Sequence, residues 1–293
     1  MKARKYLVLA AMAVMVAALA LVGCSSGSGS ASSSASSTGS ASSDAVSSES
    51  ASAEATTVEL ITPGTLTILT SPDYPPFESL DGDEYMGLDI EIAKAVAEKM
   101  GYTPEFKTLQ FDGIIPAVAA GGQGDIGISG FTVDPDRAKQ IDFTTTYYID
   151  DQAIAVMNDS DITEADADEM LNAEGIIIAV QSGTTGEAYV QENFPNATVQ
   201  PYGNSTDAFA AMQSGQANAV CTNLAVVESM IQTSYQDAHI VKTVATGEEY
   251  AIVVSQDNPA LTEQINKALA ELEADGTIDR LVQQYMSQAT PAE

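Results

Sequence analysis

From residue 58 onward, short runs typical of β-strands alternate with segments typical of amphipathic helices. Residues 66–69 (LTIL) and 176–180 (IIIAV) are β-type runs, and the second is apolar throughout, as in a strand covered on both faces. Between them, residues 89–100 repeat apolar side chains at helical spacing, with Asp89 expected as the N-cap and Gly101 as the stop. Alternation of this kind predicts an α/β fold in which mostly parallel sheets carry helices on their faces.

The same pattern occurs twice in the chain. Asp112 is expected to cap a second helix that ends at Gly121, and a short strand of small residues follows. Segment 122–129 (GQGDIGIS) and segment 215–222 (GQANAVCT) both consist of a helix stop, a polar step and a strand that ends in a hydroxyl residue. Two similar α/β lobes are therefore expected to follow one another.

The C-terminal part does not begin a third lobe, because it contains only two further amphipathic helical segments. Two β-type segments, 149–156 and 249–254, flank the second lobe. The simplest organisation is a first lobe in two parts around an inserted second lobe: residues 58–150 and 249–293, and residues 151–248. Two lobes joined by two hinge strands can open and close.

The N-terminus has the organisation of a secretory signal. Basic residues at positions 2, 4 and 5 precede an uncharged stretch from Tyr6 to Val22. The stretch ends in Leu21-Val22-Gly23-Cys24, which resembles the lipobox of bacterial lipoproteins, where the Cys is lipidated and becomes the first mature residue. Residues 1–23 are thus predicted to be a lipoprotein signal peptide, with Cys24 as the lipidation site. An uncleaved membrane anchor is the alternative, although 17 uncharged residues barely span a bilayer.

Residues 24–57 are a different kind of sequence. Positions 25–57 contain 16 Ser and 7 Ala and no aromatic residue. Such a segment cannot bury enough apolar surface to offset chain entropy, so it is expected to be disordered. We predict a flexible tether that joins a lipid anchor at the outer face of the cell membrane to a folded extracytoplasmic domain.

Composition excludes several classes of partner and site. The chain has 11 Lys and Arg against 41 Asp and Glu, a formal net charge of −30, whereas nucleic-acid binding needs clustered positive charge. One His and two Cys cannot supply the four ligands of the usual structural zinc site. No metal and no other cofactor are expected. If Cys24 carries lipid, Cys221 has no partner for an intrachain disulfide.

Six short motifs resemble those of a known family, and they occur in the family's order. They are SPDYPPFE at 71–78, GLDIEIA at 87–93, FDGIIP at 111–116, GFTVDPDR at 130–137, QSGTTGE at 181–187 and ADGTI at 274–278. Together they resemble the bacterial extracellular solute-binding proteins of polar amino-acid ABC transporters, over roughly residues 64–286. The resemblance implies a two-lobed, type II periplasmic-binding-protein fold, an amino-acid ligand in the cleft, and delivery of that ligand to a membrane permease.

The carboxylate of an amino acid favours a buried positive partner, and this chain has few candidates. Several lysines fall on predicted solvated helix faces, whereas Arg137 lies just beyond a strand end and a turn, where α/β sheets bind ligands. The family's carboxylate-binding arginine also matches Arg137. In the second lobe, a predicted helix start makes the N–H and hydroxyl of Thr185 further candidate donors. A surface arginine and a purely structural turn are the respective alternatives.

The resemblance implies that the hydroxyl of Thr132 and the carbonyl of Gly130 accept hydrogen bonds from the ligand's ammonium group. The third acceptor in the family is normally an Asp after the second-lobe strand, but this chain has Asn223 there. An amide carries no charge, so the ammonium would lose its ion pair. Three explanations are open: weaker ammonium binding, substitution by another acid, or a ligand that is not a plain α-amino acid.

Further positions point to the ligand's side chain. The resemblance implies that Tyr74 and Phe111 pack against it, which suits an aliphatic, amide or cationic group; core packing is the alternative for both. Ser71 stands where relatives that select cationic side chains often carry an acid, which weakens the case for a Lys- or Arg-type ligand, although Asp73 could compensate. Gln181 is a further candidate contact.

The predicted function is therefore that of a monomeric substrate-binding lipoprotein of an ABC importer, and not that of an enzyme. Ligand would shift an equilibrium between open and closed forms, because only the closed form offers both halves of the site. Two alternatives use the same fold: a ligand-sensing surface module and an enzyme that resembles cyclohexadienyl dehydratases. The enzyme would need a cleft acid of perturbed pKa, and Asn223 removes the obvious candidate.

Overall fold

The structure of the protein is a computed structural model that describes residues 58–287. The predicted signal peptide 1–23, the predicted lipidation site Cys24 and the Ser/Ala-rich tether of 24–57 lie outside the described residues. Within the described part, no helix is both long enough and apolar enough to cross a membrane.

Strands and helices alternate along most of residues 58–287. The strands are β1 Thr65–Thr70, β2 Asp73–Tyr74, β3 Glu78–Asp81, β4 Glu84–Met86, β5 Thr103–Thr108, β6 Ile126–Gly127, β7 Ile141–Phe143, β8 Tyr148–Met157, β9 Ile177–Gln181, β10 Thr198–Tyr202, β11 Ala219–Asn223, β12 Ala238–Tyr250 and β13 Val253–Ser255. The helices are α1 Leu88–Met100, α2 Phe111–Ala120, α3 Ala167–Leu171, α4 Thr185–Asn193, α5 Ser205–Gln213, α6 Leu224–Thr233, α7 Pro259–Ala274 and α8 Thr277–Met286. A single 3₁₀ turn covers Arg137–Lys139 within the described residues.

Two five-stranded sheets organise the fold, in the orders β5-β1-β6-β13-β7 and β10-β9-β11-β8-β12. A small three-stranded sheet, β2-β3-β4, is formed by the residues between β1 and α1. We refer to the elements around the first large sheet as the first lobe and to those around the second as the second lobe. The α/β architecture predicted from the sequence is confirmed.

The sheets are mixed, which differs from the expectation that they are mostly parallel. In each sheet, the first three strands in the order given are parallel to one another. The fourth strand runs antiparallel to both of its neighbours. The antiparallel pairs arise from β13 and β8, which lie inside their sheets next to the connections between the lobes. A strand that arrives from the other lobe enters its sheet against the direction of the βαβ units.

Helices cover both faces of each large sheet, and this explains the apolar strand sequences. One apolar cluster in the first lobe includes residues of α2 and contains Leu69, Ile114 and Phe131, all at most 3% exposed. A second cluster in the second lobe contains Ile154 and Val180, both fully buried. Because strands buried on two faces need apolar side chains at successive positions, β-type runs such as 176–180 lack the alternation of a half-exposed strand.

The chain crosses from the first sheet to the second between β7 and β8 and returns between β12 and β13. At the crossing, β8 and β12 run antiparallel, with Tyr148 opposite Tyr250 and Asp150 opposite Glu248. Thr132 of the first lobe forms a β-bridge with Tyr250. Any hinge motion between the lobes must therefore bend these two connections.

Two predicted helix caps are wrong. Helix α1 follows Gly87 and helix α2 follows Gln110, and neither helix has a capping side chain. Asp89 lies inside the first turn of α1 and is fully buried, whereas Asp112 is an exposed residue in the first turn of α2. An acid in the first turn is favoured by the helix dipole whether or not it is the cap, so the local sequence could not separate the two positions.

Candidate functional site

A cavity lies between the two lobes, at the carboxyl ends of the parallel strands. Gln181 and Asn223 are the last residues of β9 and β11, and Ser129 follows β6 by two residues. Strand ends of this kind are the usual place for ligand sites in α/β sheets. The lining residues are Tyr74, Phe111, Ser129, Gly130, Thr132 and Arg137 from the first lobe, and Gln181, Thr184, Thr185 and Asn223 from the second.

Arg137 brings a partly buried positive charge to this cavity. Its Nη1 donates to the carbonyl of Thr132 at 3.0 Å, and its Nη2 donates across the lobes to the carbonyl of Gly183 at 3.0 Å. The guanidinium carbon lies 5.5 Å from the ring centre of Phe111 and 5.9 Å from that of Phe131. No acidic side chain in residues 58–287 forms an ion pair with it.

Burial lowers the pKa of Arg137, and nearby negative charges, including those of Asp134 and Glu248, oppose that shift. An arginine stays protonated even so. Two of its five N–H groups are used by backbone carbonyls, which leaves donors for an anion. Arg137 is therefore able to hold a carboxylate in the cavity.

Glu248 places a carboxylate that is only 8% exposed behind the cavity wall, in contact with three of the lining residues. Its Oε2 accepts hydrogen bonds from Thr132 Oγ1 at 2.7 Å, Thr185 Oγ1 at 2.8 Å and Asn223 Nδ2 at 3.1 Å. Its Oε1 accepts from Gln152 Nε2 at 2.9 Å. The side chain of Glu248 thus binds residues of both lobes from a position on β12 near the crossing.

A pair of buried acids supports the Gly130 turn. Asp89 Oδ2 accepts from the N–H of Gly130 at 2.7 Å and from the hydroxyl of Tyr147 at 2.9 Å. Glu78 Oε1 accepts from the hydroxyl of Ser129 at 2.6 Å. Glu78 and Asp89 are both fully buried, and each leaves one carboxyl oxygen without a hydrogen-bond partner.

Burial raises the pKa of both acids, that of Asp89 to about 6, and the charge of Asp89 adds to the rise at Glu78, whose pKa is the more strongly raised. Of the two acids, Glu78 is therefore the one that holds its proton more strongly. Gly130 has a φ of 57°, and a Cβ there would approach the Tyr250 ring to 3.2 Å. Glycine is therefore required at this turn, whose N–H is held by Asp89.

Tyr74 connects the first lobe to Asn223 in the second lobe. Its Oη donates to Asn223 Oδ1 at 2.6 Å and lies 2.7 Å from Thr222 Oγ1. Burial raises the pKa of Tyr74, so its hydroxyl stays protonated. The side chain of Asn223 is thereby oriented, with its oxygen toward Tyr74 and its amide toward Glu248.

Asp73 makes a second bridge between the lobes. Its carboxylate accepts from the hydroxyl of Ser71 at 2.6 Å, from the N–H of Ser205 at the start of α5, and from Gln181 Nε2 at 3.3 Å. Its carbonyl accepts from the Ser205 hydroxyl at 2.7 Å. Burial raises the pKa of Asp73, and the hydrogen bonds from Ser71 and Ser205 partly oppose the rise.

Comparison with known proteins gives this geometry a context. Residues 66–288 match the family of bacterial extracellular solute-binding proteins, family 3. The chain belongs to this family. The resemblance read from the six sequence motifs is thereby confirmed, and so is the two-lobed type II fold that it implies.

This family 3 protein is 33% identical over 223 residues to the ABC transporter arginine-binding protein 1 of Escherichia coli (strain K12), which covers 74% of this chain and 89% of the relative. An ancestral arginine-binding protein bound to arginine has a TM-score of 0.70 and 36% identity, over 76% of this chain and 98% of that one. An ancestral amino acid-binding protein described as a precursor of cyclohexadienyl dehydratase has a TM-score of 0.69 and 33% identity, over 76% and 95% of the two chains.

The structure of the family 3 protein brings eight of the nine predicted ligand-binding residues to the cavity wall. The exception is Ser71, which lies behind the wall: its N–H donates to Ser129 and its hydroxyl to Asp73. Thr185 is the first residue of α4, behind the N-cap Thr184, but its hydroxyl donates to Glu248. Only its N–H group therefore remains available for an anion. The roles of these residues toward a ligand remain predictions.

Sequence reasoning missed Glu248 and the partnership of Glu78 with Asp89. Glu248 stands in a Gly-Glu-Glu-Tyr segment with no motif around it, and its contact Thr132 is 116 residues away in sequence. A signal for the pair was present, because Glu78 and Asp89 both lie within motifs shared with the family. Within residues 58–287 no cluster of three potential metal ligands occurs.

Proposed function

We propose that this protein is the substrate-binding lipoprotein of an ABC importer, which captures a polar amino acid between its lobes and delivers it to a membrane permease. The observation that carries the proposal is the charge arrangement around Thr132. The carbonyl of Thr132 accepts from Arg137, and its hydroxyl donates to Glu248. One residue thus separates a partly buried cation from a buried carboxylate. This spacing suits an α-amino acid, in which carboxylate and ammonium share one carbon atom.

We expect the ligand's carboxylate at Arg137 and at the start of α4. The first turn of a helix has N–H groups without intrahelical partners, and the N–H of Thr185 lies there. The ammonium group is then expected at the carbonyl of Gly130 and the hydroxyl of Thr132. Closure follows because the two lobes complete the site only when they meet.

The ligand's side chain is expected against Tyr74 and Phe111, near Gln181. Phe111 also backs the guanidinium of Arg137, so only part of its ring is available to a ligand. Asp73 is already engaged by Ser71 and Ser205, which leaves no free acid at the position expected to select a cationic side chain. L-arginine is nevertheless the first ligand to test, since the E. coli relative and the ancestral neighbour are described as arginine-binding.

The remaining parts of the proposal concern anchoring and organisation. We propose that Cys24 carries a lipid, that residues 24–57 tether the protein to the outer face of the cell membrane, and that the protein acts as a monomer. The predicted lobe limits, 58–150 with 249–293 and 151–248, remain a proposal. The position of the two crossings between the large sheets supports them.

A ligand screen tests the proposal directly. The full chain, purified in detergent, is titrated calorimetrically with the standard amino acids, cystine, ornithine and opine-like compounds. We expect one or a few of them to bind and to raise the melting temperature, since a ligand of the folded state stabilises that state. Absence of heat and of a thermal shift for every compound would reject the proposal.

A dehydratase-like enzyme is the second candidate, and one observation favours it. Asn223 is not an acid, but the buried carboxylate of Glu248 lies directly behind it and accepts a hydrogen bond from its amide. A structural neighbour is also described as a precursor of cyclohexadienyl dehydratase. Turnover assays with prephenate and arogenate decide between the two: we expect no product, and catalytic turnover would replace the transport assignment. A ligand-sensing module would instead bind its ligand without importing it.

A further inference from the structure

Glu248 is a buried carboxylate in contact with the residues predicted to bind the ligand's ammonium group. Its Oε2 lies 2.7 Å from Thr132 Oγ1 and 3.1 Å from Asn223 Nδ2. In residues 58–287, no Lys or Arg forms an ion pair with it. A buried carboxylate without a cation is costly even when neutral donors surround it. A cation beside Glu248 would therefore stabilise the site.

We propose that Glu248 is the acid that binds the ligand's ammonium group, in place of the Asp that the family resemblance implies at position 223. Of the three explanations that Asn223 left open, this is substitution by another acid. The inference rests on the proposed function, because it requires an amino-acid ligand. It makes Glu248 the residue that selects compounds with an α-ammonium group over compounds without one.

The hydrogen bonds around Glu248 prepare it for a cation. All of its donors are neutral, and the hydroxyl of Thr132 uses its only proton on the carboxylate. The lone pairs of that hydroxyl remain free to accept. An ammonium group has three donors, and Thr132, Glu248 and the carbonyl of Gly130 together offer three acceptors.

Asn223 and Glu248 form a matched pair. The oxygen of Asn223 accepts from Tyr74 and its amide donates to Glu248, so both ends of the amide are used. An Asp at position 223 has no N–H to donate and would place a second negative charge beside Glu248. The site therefore takes an acid at one of the two positions, with a neutral partner at the other.

The surroundings of Glu248 carry an excess of negative charge. Asp150 is its cross-strand partner on β8. The pKa of Asp150 is raised to about 7, chiefly by burial, with the charges of Glu248 and Asp151 adding to the rise. Arg137 is the cation that the cavity already contains, and backbone carbonyls of both lobes hold it. A bound ammonium group would relieve the repulsion among the acids.

An acid at position 248 and an acid at position 223 would complete the ammonium site at different stages of lobe closure. Thr132 pairs with Tyr250 in a β-bridge, and the N–H of Val133 donates to the carbonyl of Glu249 at 2.8 Å. Backbone pairing thus keeps Thr132 close to Glu248 at the crossing of the lobes. An acid at position 223 would belong to the second lobe and would reach the ammonium only on closure. Glu248 also lies on a second-lobe strand, but it is two residues from the bridge at Tyr250, so we expect it to stay close to Thr132 in the open form.

Calorimetry on the full chain tests the inference, with the amino acid that binds most tightly in the screen as the probe. Glu248→Gln removes the charge and keeps the shape, and we expect affinity to fall about 30- to 100-fold, as for loss of a charge-assisted hydrogen bond. Glu249→Gln is the matched control, because Glu249 is the adjacent, exposed acid. We expect it to change affinity by less than about twofold.

The exchanged pair gives the sharper test. Asn223→Asp alone should weaken binding, because it brings two carboxylates together. The double variant Asn223→Asp/Glu248→Gln restores one acid and one amide, so it should recover affinity to within about tenfold of the natural protein. Melting temperatures check the fold, and we expect Glu248→Gln to melt at or above the natural protein in the absence of ligand.

A ligand without the ammonium group isolates the contact. The natural protein should prefer the amino acid over its des-amino analogue, and Glu248→Gln should lose most of that preference. Retention of the preference, or affinity within threefold of the natural protein in a folded Glu248→Gln variant, overturns the inference alone. If the natural protein binds no amino acid, the proposed function fails and the inference fails with it.

Discussion

The phenolic oxygen of Tyr74 lies 2.6 Å from the side-chain oxygen of Asn223, and this hydrogen bond joins β2 of the first lobe to the end of β11 in the second. Both side chains are buried, with 6% of Tyr74 and 4% of Asn223 exposed. The bond exists only when the lobes are together. It therefore couples the ligand cavity to the equilibrium between closed and open forms.

Tyr74→Phe should shift that equilibrium toward the open form. The change leaves the Asn223 oxygen without its donor in the closed form, which costs about 1 kcal/mol, so we expect ligand affinity to fall about fivefold. X-ray scattering of the ligand-free protein should show a larger radius of gyration. Tyr85→Phe is the control, since the Tyr85 hydroxyl pairs with Thr108 on the exposed surface of the first lobe. Unchanged affinity and scattering in Tyr74→Phe would contradict this role.

Arg137→Ala should remove the anchor of the ligand's carboxylate. Leaving a buried carboxylate unpaired costs about 3–5 kcal/mol, so binding in the calorimeter should weaken by more than a hundredfold. Lys139→Ala is the matched control: Lys139 lies two residues away with a 73% exposed side chain, and we expect no change. A loss of less than about tenfold, near 1.4 kcal/mol, would reject Arg137 as the anchor.

Stability should fall as pH rises from about 4 to about 8. The pKa of Asp89 is raised to about 6 and that of Asp150 to about 7, so the folded state binds more protons than the unfolded state over this range. Stability is then full below the ordinary pKa of these acids and is lost as pH rises through the folded-state values. The formal net charge of −30 acts in the same direction.

Melting curves at intervals of half a pH unit measure this slope. Asp150→Asn should flatten it, because the titrating group is gone. Asp237→Asn, at an exposed position, makes the same change in net charge and should leave the slope as it is. A melting temperature that rises from pH 5 to pH 8 is the result that contradicts the prediction.

Glu78 and Asp89 should respond differently to substitution. Glu78→Gln keeps an acceptor for Ser129 and removes a buried acid whose ionisation is opposed by burial and by the charge of Asp89, so we expect an equal or higher melting temperature at pH 8. Asp89→Ala leaves the N–H of Gly130 and the hydroxyl of Tyr147 without their acceptor. It should lower the melting temperature and weaken ligand binding. Equal effects of the two substitutions would contradict these different roles of Glu78 and Asp89.

Cys24→Ala should release the protein from the membrane. We expect the natural chain, expressed in a bacterial host, to incorporate labelled fatty acid and to sediment with membranes, and the variant to do neither. Cys221→Ala is the control, because Cys221 is 1% exposed in the second lobe and burial raises the pKa of its thiol. Fatty-acid labelling that persists in Cys24→Ala would place the anchor elsewhere.

Local patterns were enough for the regular elements. Helix α7, Pro259–Ala274, is the first of the two amphipathic segments predicted near the C-terminus, and helix α1 ends at Gly101, whose φ of 81° is the left-handed conformation that glycine favours. Arg137 could be identified because the chain has few cations and this one follows a strand end and a turn. The parallel content of the sheets was overestimated, because no local pattern shows that β8 and β13 enter their sheets from the other lobe.

The sequence by itself determined the α/β alternation, the two-lobed family fold and most of the cavity wall, because helical periodicity, buried strand runs and strand-end motifs are local. Only the tertiary structure decided which residues the buried acids contact. Asp89 turns inward to hold Gly130, and Glu248 reaches Thr132 across 116 positions of sequence. Such contacts depend on how two sheets meet at their crossing, and charge acts through space, so the order of residues along the chain does not encode them locally.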